Sequence, residues 1–157
     1  MSPSSRGGAS VGRLADLSPV EAGAVMYLRL WGESDHGREA AARDFALALG
    51  EGQGRRAMRT LDQICMLCAR HGRRPVMRHG LNCSCLGADE NWFAQLVGAA
   101  SDGAHEDATM LAALLVRPDM APTLAGLSLQ LGLALRKMTA SVNAPRATHD
   151  MSSAVLH

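Results

Sequence analysis

The chain has 157 residues, of which 47% are hydrophobic and only 3% aromatic, and its formal net charge is +1. A single domain with its own core is expected at this length. The near-neutral charge argues against a protein that binds nucleic acid or membranes through its overall charge. Because the N-terminus lacks the apolar segment of a signal peptide and no apolar run reaches the roughly 18 residues of a membrane span, we expect a cytoplasmic protein.

The first residues of the chain carry no structural pattern, and the first helix begins soon after them. Residues 1–16 are rich in Ser, Gly and Pro and are expected to be a disordered tail. Ser18 can then cap a helix, Pro19 suits its first position and Glu21 completes a capping box. A helix is therefore predicted to start at Ser18.

Apolar residues at helical spacing predict further helices after the first one. These cover about residues 37–49, 53–70, 89 onward, 105–116 and 121–140. Residues 73–87 have no helical pattern, and residues 143–157 are expected to be a loose C-terminal tail. No strand pattern is evident. The sequence therefore predicts an all-α protein, a compact bundle of five to six helices over residues 17–142 with one irregular loop.

All four cysteines fall within twenty-one residues, together with two histidines. Cys65 and Cys68 continue the apolar stripe of the predicted third helix, so core packing is the favoured interpretation of this pair. Their C-x-x-C spacing also suits a metal, although on a helix this signal is weak.

The segment His79-x3-Cys83-x-Cys85 lies in the irregular loop, where no apolar periodicity explains it as core. Thiolates and imidazoles close together are typical zinc ligands, and a metal would order such a loop. We therefore predict a zinc site formed by His79, Cys83 and Cys85. The preferred fourth ligand is Cys68, and the alternatives are His71, Cys65 and His105.

Other chemistries of the same segment stay open. An iron-sulfur cluster on the four cysteines lacks the usual C-x2-C-x2-C spacing. A zinc-dependent hydrolase would need an open coordination position, with Glu90 or Glu106 as the base. A thiol redox sensor would use Cys83 and Cys85 as a reversible disulfide pair. The two cysteines can also simply be free thiols.

Four arginines without intervening acids precede or fall within the loop, namely Arg70, Arg73, Arg74 and Arg78. Such a strip can contact phosphates or an acidic partner protein. A solvated or internally paired strip is the favoured alternative, because no aromatic residue interleaves with the arginines and no short turn follows the third helix as in a helix-turn-helix.

The residues Arg74-Pro75, Met77-Arg78-His79, Cys83-x-Cys85 and Gly87-Ala88-Asp89-Glu90, followed by residues 114–118, are similar to a family of small all-helical proteobacterial proteins. The similarity covers about residues 17–140 and implies no known activity. It is densest around His79, Cys83 and Cys85 and does not include Cys65 and Cys68. The leading hypothesis is thus a zinc-binding regulatory or assembly factor that binds another protein.

Overall fold

Six α-helices and one small sheet form the described part of the chain in this computed structural model, namely the backbone of residues 7–156 and the side chains of residues 7–142. The helices are α1 (Pro19–Glu33), α2 (Asp35–Leu49), α3 (Glu51–His71), α4 (Ala88–Ser101), α5 (His105–Leu115) and α6 (Ala121–Leu156). The strands are β1 (Ser10–Arg13) and β2 (Cys85–Gly87), and short 3-10 helices cover Leu14–Asp16 and Pro118–Met120. The prediction of an all-α bundle is confirmed.

The helix starts follow the capping residues of the sequence. The Ser18 hydroxyl accepts the Glu21 N–H at 3.2 Å, and Glu21 accepts the Ser18 N–H in return, so the predicted capping box is present. Ser34 caps α2 by accepting the Gly37 N–H at 3.1 Å, which places the helix start slightly before the predicted position. Gly50 ends α2 with a φ of 85°, a left-handed conformation that glycine adopts without strain.

The core lies between the helices and is built mainly from Leu, Ala and Val. The apolar stripe of α3 is buried along its whole length and includes Leu61, Ile64, Cys65 and Cys68. Helix α6 contacts all five other helices, as expected for a central helix. The core interpretation of Cys65 and Cys68 is therefore confirmed.

The predicted N-terminal tail includes ordered structure that the sequence pattern did not indicate. Strand β1 pairs antiparallel with β2, and Arg13 lies opposite Cys85. Residues 10–16, which were expected to belong to the tail, thus form a strand and a 3-10 helix in the structure. Backbone hydrogen bonds supplied by a distant segment hold these residues, and Leu14 packs on a small cluster around Leu86. Residues 1–6 lie outside the described residues.

The C-terminal part of the chain also differs from the prediction. The sixth helix was expected to end near residue 140, but the backbone of α6 is helical as far as Leu156. His157 lies outside the described residues. Within the described range, no helix combines the length and the hydropathy needed to cross a membrane.

Candidate thiol site

A buried ion pair lies beneath the irregular loop. Arg29 of α1 and Glu90 of α4 are both almost fully buried, and the Arg29 Nε lies 2.7 Å from the Glu90 Oε2. A second bond joins the Arg29 Nη2 to the Glu90 Oε1 at 3.0 Å. Two ions removed from water in this way need further hydrogen bonds to offset the cost of desolvation.

The backbone of the loop supplies those further hydrogen bonds. The Arg29 guanidinium donates to the carbonyl oxygens of Gly80, Cys83 and Cys85, at 3.1, 2.7 and 2.7 Å. Glu90 accepts the backbone N–H groups of His79 and Gly87 at 3.1 and 3.0 Å. The loop is therefore wrapped around this ion pair, which gives it the order that the sequence analysis assigned to zinc.

These contacts also shift the pKa values of Glu90 and Arg29. Burial raises the pKa of Glu90, but the hydrogen bonds from Arg29, Gly87 and His79 outweigh burial and bring this pKa below its ordinary value. The hydrogen bond to Glu90 raises the pKa of Arg29 above its ordinary value. Both side chains are therefore charged at neutral pH.

A second ion pair holds the first part of the loop. Arg74 donates two hydrogen bonds of 2.7 Å to the carboxylate of Asp89, which is 2% exposed. The same carboxylate accepts the Met77 N–H at 2.9 Å. Gly7 packs closely on this pair, and a Cβ atom there would clash with both side chains. Asp89 and Glu90, at the start of α4, thus hold the loop at two points, near Met77 and near His79.

The loop brings His79 and Cys83 together at the surface. The Cys83 Sγ lies 3.5 Å from the His79 Nδ1, and the His79 Nε2 lies 2.7 Å from the carbonyl oxygen of Gly8. A carbonyl can only accept, so Nε2 carries a proton, and in the neutral ring Nδ1 faces the thiol as an acceptor. Cys83 is half-buried and Cys85 is exposed.

The contact between His79 and Cys83 favours the charged forms of both groups, an imidazolium and a thiolate. The hydrogen bond with His79 lowers the pKa of Cys83, and the backbone and thiol of Cys85 act in the same direction. The hydrogen bond to Cys83 raises the pKa of His79, and the Gly8 carbonyl adds to this effect. A thiolate beside an imidazolium is a nucleophilic arrangement at an accessible position.

The remaining predicted zinc ligands lie elsewhere. Cys65 and Cys68 are buried on α3, and burial raises their pKa to about 12 and about 11. The His71 Nδ1 lies 2.9 Å from the Arg117 Nη2, and His105 begins α5. Among the side chains of residues 7–142, no group of three or more His, Cys, Asp and Glu residues is placed to hold a metal ion.

The structure therefore brings only part of the predicted ligand set together. It brings together His79 and Cys83, with Cys85 adjacent, but it supplies neither Cys68 nor any of the alternative fourth ligands. It also separates the four cysteines that an iron-sulfur cluster would use. The reason is helical phase, because the α3 stripe points both of its thiols into the core.

The candidate bases of a zinc hydrolase are not positioned for that role. Glu90 is fully buried and bound to Arg29, so it faces no water. Glu106 lies in the first turn of α5 and lines a separate shallow groove beside Pro118. Neither carboxylate adjoins His79 and Cys83 in a cleft.

Three of the four arginines of the predicted strip form hydrogen bonds within the protein. Arg74 pairs with Asp89, the Arg73 Nε donates to the carbonyl oxygen of Ala113, and the Arg78 Nε donates to that of Leu28 at 3.0 Å. Arg70 lies in the last turn of α3 and is exposed. The alternative of an internally bonded strip thus fits Arg73, Arg74 and Arg78.

Arg29 was missed by the sequence analysis, and Asp89 and Glu90 were recognised only as acids suited to a helix N-terminus. A signal was present, since Arg29 follows Val25 by one helical turn on a face that is buried. A lone arginine on such a face requires a carboxylate partner, and the adjacent acids after the loop were the available pair.

Comparison of the chain with models of protein families, with curated proteins and with solved structures found no match. The similarity to small proteobacterial helical proteins thus stays a prediction.

Proposed function

We propose that this protein is a thiol-based redox regulator, in which Cys83 is the reactive thiol and Cys85 the resolving thiol. The observation that carries the proposal is the contact of 3.5 Å between the Cys83 Sγ and the His79 Nδ1 on an accessible loop. Cys85 lies only two residues further on and is exposed. Clustered thiols of this kind suit a reducing compartment such as the cytoplasm, where catalytic or sensing disulfides are transient.

The first step is oxidation by a hydroperoxide. The Cys83 thiolate attacks one peroxide oxygen, the O–O bond breaks, and the sulfur becomes a sulfenic acid. The departing oxygen takes a proton from the His79 imidazolium and leaves as water or an alcohol. The Gly8 carbonyl keeps the imidazole oriented while Nδ1 loses its proton.

The second step joins the two cysteines. The sulfur of Cys85 attacks the sulfur of Cys83, the S–O bond breaks, and the hydroxide leaves as water with the proton of the Cys85 thiol. A dithiol reductant returns two electrons and two protons to restore the starting state. The product is a disulfide that spans a single residue, Ser84.

The disulfide would draw the two sulfurs together to about 2.05 Å across the single residue Ser84. Cys83 and Ser84 lie just before β2, and closing a ring over one residue is expected to bend the chain at Ser84. Bending the chain at Ser84 would break the bond from the Leu14 N–H to the Ser84 carbonyl, which is 2.9 Å long, and the pairing of Arg13 with Cys85. Oxidation is thereby linked to release of residues 8–14, which we call the N-terminal strap.

Release of the strap would expose the edge of β2 and the apolar cluster around Leu86. An unpaired strand edge beside apolar side chains is a surface that another protein can bind. The regulatory output is therefore a change in the binding of a partner protein, in line with the leading hypothesis from the sequence.

The test is treatment of the reduced protein with hydrogen peroxide, followed by mass spectrometry of the peptides. A Cys83–Cys85 disulfide should form in the wild type, Cys85→Ser should accumulate the Cys83 sulfenic acid, and His79→Ala should slow the reaction. Cys68→Ser is the matched control and should react as the wild type does. Equal oxidation of Cys83 with and without His79, or no disulfide, would reject the proposal.

Zinc binding is the second candidate, favoured by the orientation of His79. Metal-bound histidines usually donate their other ring N–H to a carbonyl or carboxylate, as His79 does to Gly8. Elemental analysis of the same reduced samples separates the two functions. About one zinc per chain, lost in Cys83→Ser and protecting the thiols from peroxide, would favour the metal site.

A further inference from the structure

A cleft separate from the thiol site lies between α1, α3 and the first residues of the loop. Its volume is about 480 Å³, within the range of small-molecule sites. Trp31 of α1 and the buried thiols of Cys65 and Cys68 form part of its lining, and Val76 lies at the loop side. The arginines Arg73, Arg74 and Arg78 also face it.

The charge of this cleft is one-sided. Its lining has three guanidinium groups and no carboxylate. Asp89 neutralises Arg74 through two hydrogen bonds. Arg73 and Arg78 donate their Nε–H groups to carbonyl oxygens, and neither forms an ion pair with a carboxylate among the described residues. Two positive charges thus face the cleft without an opposite charge.

Hydrogen bonds within the protein also fix the orientation of the Arg73 and Arg78 guanidinium groups. The bond to Leu28 holds Arg78 from its Nε, and that to Ala113 holds Arg73 in the same way. The terminal nitrogens of Arg73 have no acceptor among the described residues, and those of Arg78 have only weak ones, the Val76 carbonyl at 3.5 Å and the Cys65 thiol. Free terminal N–H groups on a fixed planar fork are suited to a carboxylate or a phosphate.

The rest of the cleft is apolar and rigid. The Trp31 Nε1 donates to Asp62 at 2.8 Å, which fixes the indole ring. The guanidinium carbons of Arg38 and Arg78 lie 4.1 and 6.0 Å from the ring centre. Because burial raises the pKa of Cys65 and Cys68, both thiols stay neutral and present a polarisable wall.

We propose that this cleft binds a small organic anion, whose carboxylate or phosphate lies between Arg73 and Arg78 and whose apolar part packs against Trp31 and the two thiols. The unpaired guanidinium groups supply the charge recognition, and the indole and thiols supply the apolar contact. This site does not depend on the chemistry of Cys83, because neither Cys83 nor His79 lines the cleft.

The test uses the fluorescence of Trp31. The chain has two tryptophans, so Trp92→Phe leaves Trp31 as the only indole. This protein is titrated with benzoate, phenyl phosphate, inorganic phosphate and the neutral benzyl alcohol. A saturable change with benzoate or phenyl phosphate is expected, with weaker binding of inorganic phosphate, which lacks the apolar part, and no binding of benzyl alcohol.

Arginine variants assign the binding to the cleft. Arg73→Gln and Arg78→Gln should each weaken binding about tenfold or more, the loss expected for one charge-assisted hydrogen bond. Arg70→Gln, on the same helix end but outside the lining, is the matched control and should bind as the parent does. Because Arg73 is exposed, its variant keeps the test valid if Arg78→Gln does not fold.

Three results would overturn the proposal. One is the absence of a saturable change with every anion. Another is equal binding of benzyl alcohol and benzoate, which would show that charge plays no part. The third is the same loss of affinity in Arg70→Gln as in Arg73→Gln, which would indicate a nonspecific effect of net charge.

Discussion

Arg29 and Glu90 are the residues on which the geometry of the irregular loop, residues 73–87, depends. Arg29 donates to three loop carbonyls, and Glu90 accepts two loop N–H groups. A disordered loop would leave the Cys83 thiol without a fixed neighbour. Two buried side chains on different helices thus hold the backbone of both Cys83 and His79.

Replacement of Glu90 by Gln leaves the Arg29 charge buried without a counter-charge. We expect a loss of about 3–5 kcal/mol in the free energy of unfolding, the usual cost of breaking a buried pair. Glu106→Gln, at an exposed position, is the control and should change stability little. Chemical denaturation of both variants at neutral pH measures the difference.

The lowered pKa of Glu90 also predicts how the stability of the protein depends on pH. The folded-state pKa of Glu90 is below its ordinary value of 4.5, so its contribution is present above that value and is lost as the pH falls through the folded pKa. The wild type should therefore lose stability on acidification below about pH 4.5. Glu90→Gln should show a shallower decline, and an identical decline would contradict this role of Glu90.

At the level of elements, the N-terminal strap connects the thiol site to the bundle. It contacts His79 through Gly8, and β1 pairs with β2 directly at Cys85. Leu86 is buried beneath this pairing, at 3% exposure, together with Val25 and Ala94. The strap is therefore held by a short ladder and one small apolar cluster.

Removal of that cluster should loosen the strap before it unfolds the bundle. Leu86→Ala is expected to cost about 2–5 kcal/mol as a large-to-small change in a buried site. Trypsin should then cut after Arg13 faster than in the wild type, as measured by limited proteolysis and mass spectrometry. Leu133→Ala, at a position 45% exposed on α6, should leave cleavage unchanged. Equal cleavage in both variants would contradict the anchoring role of Leu86.

At the level of the whole molecule, the bundle separates the four cysteines into two chemical classes. Cys65 and Cys68 belong to the core of the bundle, whereas Cys83 and Cys85 lie on its outer loop. Burial raises the pKa of the first pair, and the neighbours of Cys83 lower its pKa. Proximity in the sequence therefore does not correspond to one shared site.

This separation predicts the result of thiol labelling. Under native conditions iodoacetamide should modify Cys83 and Cys85 within the time in which Cys65 and Cys68 stay unmodified, because only thiolates in contact with solvent react. All four should react in denaturant. Peptide mass spectrometry gives the site of each label, and rapid native labelling of Cys65 would contradict the buried placement.

Helices were predictable from the sequence because their signals are local. The cap at Ser18, the stop at Gly50 and the apolar stripe that ends in Cys65 and Cys68 each involve residues within a few turns of one another. The short strands were not predictable, since β1 acquires its hydrogen bonds from residues more than seventy positions away.

The sequence by itself determined the helical class, the burial of the α3 cysteines and the position of the candidate segment from His79 to Cys85. Only the tertiary structure decided what orders that segment and which residues adjoin it. Arg29 and Glu90 are sixty-one positions apart, and no local pattern pairs them. Their meeting is a consequence of the packing of α1 against α4, in which a charge buried on one helix requires its opposite on the other.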